Sequence, residues 1–153
     1  MYRSSKEIVE APEVEDIGDK VIQEKGLALD DISISYIKVY PNISKTKVAN
    51  CRVANHREHF FTDGADYIIS VSGDIWDQLE QERREILIWH ELEHVHPEYN
   101  EDKGEYNFKV RNHDVEDFQS IIEEHGVDWF DEMKTIVSSF HDMKPERKQK
   151  IRI

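Results

Sequence analysis

The run Ile86-Leu87-Ile88-Trp89-His90-Glu91-Leu92-Glu93-His94-Val95-His96 carries more chemistry per residue than any other part of the chain. It belongs to a stretch, Ile75 to His96, that contains neither Gly nor Pro and is closed by Pro97. Ile75, Trp76, Leu79, Ile86, Leu87, Ile88, Leu92 and Val95 supply its apolar positions, so it reads as one long helix or as two with a break near Gln81. On that helix His90 and His94 stand four residues apart. Such spacing stacks two imidazoles on one face, one turn from each other. Neutral imidazole is a good zinc ligand, and a pair so placed grips one ion from one side. Glu91 lies about 100° round the helix from His90, beside the ligand face, where it can reach a metal-bound water without binding the metal. In that geometry zinc lowers the pKa of the water and polarises a carbonyl, while Glu91 takes a proton and returns it to a leaving amine.

Composition alone places His-Glu-x-x-His about 0.05 times in a chain of this make-up, so the five residues need support from their flanks. Ile88, Leu92 and Val95 fall together, away from the histidines. One side of the helix is therefore expected to face a core and the other an ion. Glu93 departs from the usual pattern, since that position of such helices is ordinarily uncharged. A zinc site that keeps one place for water needs a third protein ligand. His96 points about 240° from His90 and is poorly placed to join. His113 is the preferred third ligand: it opens a helical segment, and the chain between it and His94 is long enough to return to the metal. Glu116 is its rival on the same helical face, and Asp114 or Asp117 is a candidate for orienting a ligand imidazole.

Upstream, Pro12 through Lys25 reads as a helix with Val14, Ile17, Val21 and Ile22 at helical spacing and Gly26 as its stop. Ile32 to Tyr40 is β-branched and aromatic and reads as a strand ended by Pro41. Residues 47–54 alternate loosely and suggest a second strand, and Asp66 to Ser72 a third. Residues 55–65 read as a polar loop ending in Asp63-Gly64, and Asp74 as the cap of the helix that follows. Residues 98–112 suggest a small hairpin or loop. Helices are expected from His113 to His125 and from Val127 to Phe140. The expected class is α+β, with a small mixed or antiparallel sheet of about three strands flanked by helices. A single domain is expected over residues 1–140, followed by a basic tail at 141–153, where Lys144, Arg147, Lys148, Lys150 and Arg152 outweigh Asp142 and Glu146.

The whole-chain properties narrow the function classes. At 153 residues and 38% hydrophobic, the chain can bury a core without staples. Cys51 is the one cysteine, which rules out an internal disulfide and a thiolate-rich metal site, leaving the eight histidines and the carboxylates as ligands. The net charge of −13 disfavours nucleic acid as a partner. No apolar run approaches the roughly 20 residues of a membrane span, and the first residues lack a secretory core, so the cytoplasm is the expected location.

Three segments taken together, Ala65-Asp66-Tyr67-Ile68-Ile69, His90-Glu91-Leu92-Glu93-His94 and His113-Asp114-Val115-Glu116-Asp117-Phe118, resemble the phage metallopeptidase family of bacteriophages and prophages. More distantly the pattern is similar to SprT-like zinc proteases, in which a third histidine opens the next helix. The resemblance covers roughly residues 12–135. It implies a zincin-like fold, with His90, His94 and His113 as metal ligands, Glu91 as catalytic base and a bacterial host cell as the setting. The cysteine-rich zinc ribbon of SprT-like proteases has no counterpart here, which removes the sequence basis for DNA targeting of that kind.

Other residues carry weaker expectations. His56 and His59 form a second His-x-x-His pair, read as a surface loop more readily than as a metal site. Tyr67 to Ser72 is weighed equally as an edge strand for an extended peptide and as an ordinary internal strand, Tyr99 or Tyr106 as an oxyanion donor less readily than as packing, Cys51 as a nucleophile least readily, and Trp89 as core or cleft wall. The expected function is a zinc-dependent peptidase acting on a peptide or protein of unspecified identity. The alternatives are a zinc-stabilised binding or regulatory module without turnover, and a metal-free helical interaction protein.

Overall fold

A computed structural model of the chain describes residues 5–112 together with 121, 124 and 125. Ten elements follow in order: β1 (Glu7–Glu10), α1 (Pro12–Lys25), β2 (Ile34–Tyr40), β3 (Ala49–Val53), α2 (His56–Phe61), β4 (Tyr67–Ser72), α3 (Gly73–Gln78), α4 (Gln81–Glu93), β5 (Val95–Asn100) and β6 (Glu105–Val110). The class is α+β. The main sheet has four strands in the order β1-β2-β4-β3, one more than the sequence suggests, and β5 and β6 form a separate hairpin. β2 and β4 run parallel, while β1 and β3 pair antiparallel with their neighbours at the two edges.

The helix α1 begins and ends where its sequence dictates. Pro12 occupies its first turn with Glu13 and Glu15, where missing N–H groups and negative charge are both favourable. Gly26 closes it in the left-handed conformation at φ 62°, and its N–H caps the last carbonyls. Val14, Ile17, Gly18 and Val21 form the buried face. At Gly18 the helix comes so close to β2 that a Cβ would stand 2.3 Å from the Tyr36 hydroxyl oxygen. α1 also packs along α4, so the motif helix is gripped from this side.

β4 is buried at all six positions, Tyr67 through Ser72. It is internal, between β2 and β3, and the edge-strand reading of Tyr67–Ser72 is overturned. Its neighbour β3 is the edge, and it packs against α4. After β4 the chain passes directly into α3, whose first turn contains Asp74 rather than being capped by it. The N-cap residue there is Ser72, but its hydroxyl is engaged elsewhere. It donates to the Lys47 carbonyl at 2.5 Å and accepts from the Ile43 N–H at 2.9 Å, holding the 41–48 loop against the sheet.

Of the two readings of residues 75–96, the one with two helices holds: the break falls at Leu79 and Glu80, which are extended, just before Gln81. The second helix ends earlier than Pro97 suggests. α4 stops at Glu93, His94 is its C-cap, and Val95 already opens β5 opposite Val110. Residues 55–65 are not all loop: His56–Phe61 is a short helix fixed by a reciprocal capping box between Asn55 and Glu58. β1 has no clear sequence signal and exists through its pairing with β2. No described helix is long and apolar enough to cross a membrane. The segments expected as helices over 113–125 and 127–140, and the basic tail, lie outside the described residues apart from Ile121, Glu124 and His125. Of these, Ile121 is buried in the main core.

Candidate metal site

The last two turns of α4 place His90 and Glu91 in the interior, both fully buried, and His94 half-buried at the helix end. One ligand atom from each of His90, Glu91 and His94 lies within 4.8 Å of the others. The two imidazole rings stand nearly perpendicular, with centroids 5.3 Å apart. The expectation of one core face and one solvent-facing ion face needs revising: Ile86 through Leu92 are all buried, so the ligand face is an interior one too. A charged cluster taken out of water needs a compensating ion or hydrogen bonds, and two imidazoles beside a carboxylate are a donor set that suits a divalent cation.

The orientation of His94 is set by the strand hairpin. Its Nδ1 lies 2.6 Å from the carbonyl oxygen of Arg111, immediately after β6. A carbonyl only accepts, so Nδ1 carries the proton and Nε2 is the nitrogen left for a metal. The Arg111 N–H returns the contact by donating to the His94 carbonyl at 2.7 Å. The side chains repeat the connection. Trp89 Nε1 donates to Glu93 at 3.1 Å, and Arg111 Nη1 donates to the other oxygen of the same carboxylate at 3.1 Å. Glu93, the residue that departs from the usual motif, thus has a definite structural place, and Arg111 is a site neighbour that sequence reasoning did not single out. The charge of Glu93 was the available signal. Its partner could not be read from the sequence, because the pairing depends on how the hairpin folds back.

Trp89 is buried beneath Lys25, whose Nζ lies 4.2 Å from the ring centroid, with the His125 ring against it at 5.9 Å. Lys25 in turn pairs with Glu124 at 2.7 Å. Cys51 lies on β3 with its thiol pushed well above the ordinary cysteine range, first by burial and then by the negative charge of Glu91. A thiol held protonated is a poor nucleophile, and β3, which carries it, packs against α4.

Tyr99 and Tyr106 belong to a ladder of rings on the hairpin. Tyr99 meets Tyr106 at 5.1 Å, Tyr106 stacks on Phe108 at 5.9 Å, and Phe108 meets Tyr67 at 5.7 Å. The Tyr67 hydroxyl donates to the Lys109 carbonyl and accepts from the Lys109 N–H, fastening the hairpin to β4. His56 and His59 sit on α2, which buries no residue, and His59 Nδ1 is held by the Ala65 carbonyl at 3.0 Å. His96 is exposed beside Glu98. Among the described residues His90, Glu91 and His94 form the one group with metal-ligand spacing. His113, Glu116, Asp114 and Asp117 lie outside the described residues.

No curated protein and no solved structure matches this chain. A family model does, over residues 6–141, under the description "Putative phage metallopeptidase". That span takes in the sheet, the α4 cluster and the hairpin that orients His94, and the chain belongs to this metallopeptidase family.

Proposed function

We propose that the protein is a zinc-dependent peptidase of zincin-like architecture, encoded by a phage or prophage and acting within the bacterial host cell. The reading is carried by the donor atoms of His90, Glu91 and His94 lying within 4.8 Å of one another at the end of a buried helix. His90 and His94 hold the ion, and His113 supplies the third ligand. Bound zinc contributes Lewis acidity, lowering the pKa of a water molecule and polarising the scissile carbonyl. Glu91 accepts a proton from the attacking water and delivers it to the amine as the carbon–nitrogen bond breaks. The candidate for pairing with an extended substrate moves from Tyr67–Ser72 to β3, the outer strand of the sheet among the described residues, which contacts α4 and β6. The net charge of −13 fits a neutral or basic peptide better than a nucleic acid.

The test is metal analysis and peptide cleavage on untagged full-length protein and its Glu91→Gln variant. One zinc per chain in both, with cleavage in the first and a loss of about 10²- to 10⁴-fold in the second, is the expected result. Zinc in both with cleavage by neither assigns the chain to the zinc-stabilised binding modules instead. Absence of zinc, with no effect of chelator on thermal stability, overturns both.

A further inference from the structure

The second histidine of the motif is not held by regular helix. α4 ends at Glu93, and His94 is the C-cap residue, where helical hydrogen bonding runs out. Something outside the helix must fix its ring, and the contacts on both sides of His94 lead to the same residue. The His94 Nδ1–H donates to the Arg111 carbonyl, and the Arg111 N–H donates to the His94 carbonyl. Arg111 lies just beyond β6, at the end of a two-stranded hairpin that is separate from the main sheet. The Tyr67–Lys109 bonds fasten β6 to β4 two residues earlier, and a further contact at Arg111 itself is what fixes the carbonyl that meets the His94 ring.

We infer that Glu93 is a positioning residue: by bridging the Trp89 indole and the Arg111 guanidinium, it pins the end of the hairpin to α4 and so sets the orientation and tautomer of His94. This rests on the metal-site reading above. The geometry suits the role. Glu93 follows Trp89 by four residues, so donor and acceptor share one helix face. One carboxylate oxygen serves the helix and the other serves the hairpin, at 3.1 Å each. Its side chain is 13% exposed, so these charge-assisted bonds are shielded from water. A neutral residue at this place would take away the charge-assisted bond that ties the Arg111 side chain to α4. The residue that breaks the usual motif pattern therefore completes the site in this chain.

The experiment uses full-length Glu93→Gln and Arg111→Met, with Lys109→Met as a control. The control removes the exposed hairpin ion pair between Lys109 and Glu98, at 2.9 Å, and leaves the contacts around Glu93 intact. In metal-free protein, the His94 ring resonances report the tautomer and the exchange rate of the Nδ1 proton. Glu93→Gln and Arg111→Met are expected to speed that exchange about tenfold or more and to mix the tautomers, while Lys109→Met leaves both unchanged. With zinc, measured by chelator competition, the same two variants are expected to lose about 10- to 100-fold in affinity. The metal-free readout separates the two ideas: a protein that binds no zinc sinks the peptidase reading, yet still reports whether Glu93 orders His94. His94 resonances unmoved in both variants, or moved equally by Lys109→Met, overturn the positioning role. A variant that fails to fold shows itself by loss of amide dispersion, and the other variant of the pair, which removes the opposite partner of the same Glu93–Arg111 bond, then carries the same comparison.

Discussion

Replacing Gly18 by Ala sets two physical effects of opposite sign against each other. In the interior of a helix the change is worth about 1 kcal/mol of stabilisation from propensity alone. The packing of α1 on β2 predicts the reverse. A Cβ at Gly18 would stand 2.3 Å from the Tyr36 hydroxyl oxygen, 2.5 Å from Cζ and 2.9 Å from Cε2. Ordinary contact begins near 3.5 Å, so the ring or the helix must retreat by about 1 Å. Tyr36 is 6% exposed and belongs to the core cluster, so no open space receives it. Overpacking of this kind costs about 2–3 kcal/mol, which leaves a net destabilisation of about 1–2 kcal/mol after the propensity gain. In thermal unfolding that is a fall of about 2–8 °C at this chain length. The assay is urea or thermal unfolding of Gly18→Ala, Tyr36→Leu and the double variant. With the ring gone, Gly18→Ala is expected to become neutral or stabilising, giving a coupling of about 2 kcal/mol. A Gly18→Ala protein as stable as the parent, or an equal cost in both backgrounds, refutes the close-approach argument.

Three further outcomes follow from the site and its surroundings. Cys51, whose thiol is pushed up by burial and by Glu91, is expected to react with a thiol-specific reagent at least about 100-fold more slowly in the folded chain than in denaturant, a ratio read directly by labelling kinetics. Glu58 is held below the usual carboxylate range by its side-chain bonds to Arg52, so its carboxyl should titrate by NMR below an ordinary glutamate, and Arg52→Met should raise it. Because the folded pKa is the lower one, the stability it contributes is present above the ordinary glutamate pKa and fades as pH falls through the folded value; both partners are partly exposed, so the effect is small. Under the zinc reading, chelation should lower the unfolding midpoint, since zinc at 100 times its Kd contributes about 2.7 kcal/mol, and added zinc should restore it.

The parts of the fold that could be read in the sequence are those where the signal is local. α1 carries its own start at Pro12, its apolar spacing and its stop at Gly26, and all three hold in the structure. β2 and β4 are β-branched runs with turn residues at their ends. α2 was hidden because it has no apolar face, although Asn55 and Glu58 spell a capping box. The end of α4 was misplaced because Pro97 looks like a helix terminator, whereas it sits within β5. A two-stranded ladder always has an unpaired side, so a proline costs it little. The internal place of β4 could not be read either, since pairing partners distant in sequence decide it. At the site, the spacing of His90, Glu91 and His94 was legible in the sequence, but their burial and the path from Glu93 through Arg111 to His94 arise from tertiary packing.

The double burial of β4 has a consequence for how this chain can vary. From Tyr67 to Ser72 no side chain faces solvent. Each position is constrained by volume, and the backbone is paired on both sides. Comprehensive single-substitution libraries should therefore show a continuous block of intolerance there, without the every-other-residue pattern of a strand with one wet face. The permissive sites should gather at β1, on α2 and at the tip of the hairpin, where side chains stand in water. Sequence drift among functional variants is thus channelled to the periphery, while the strand that leads the chain into the motif helices stays nearly fixed.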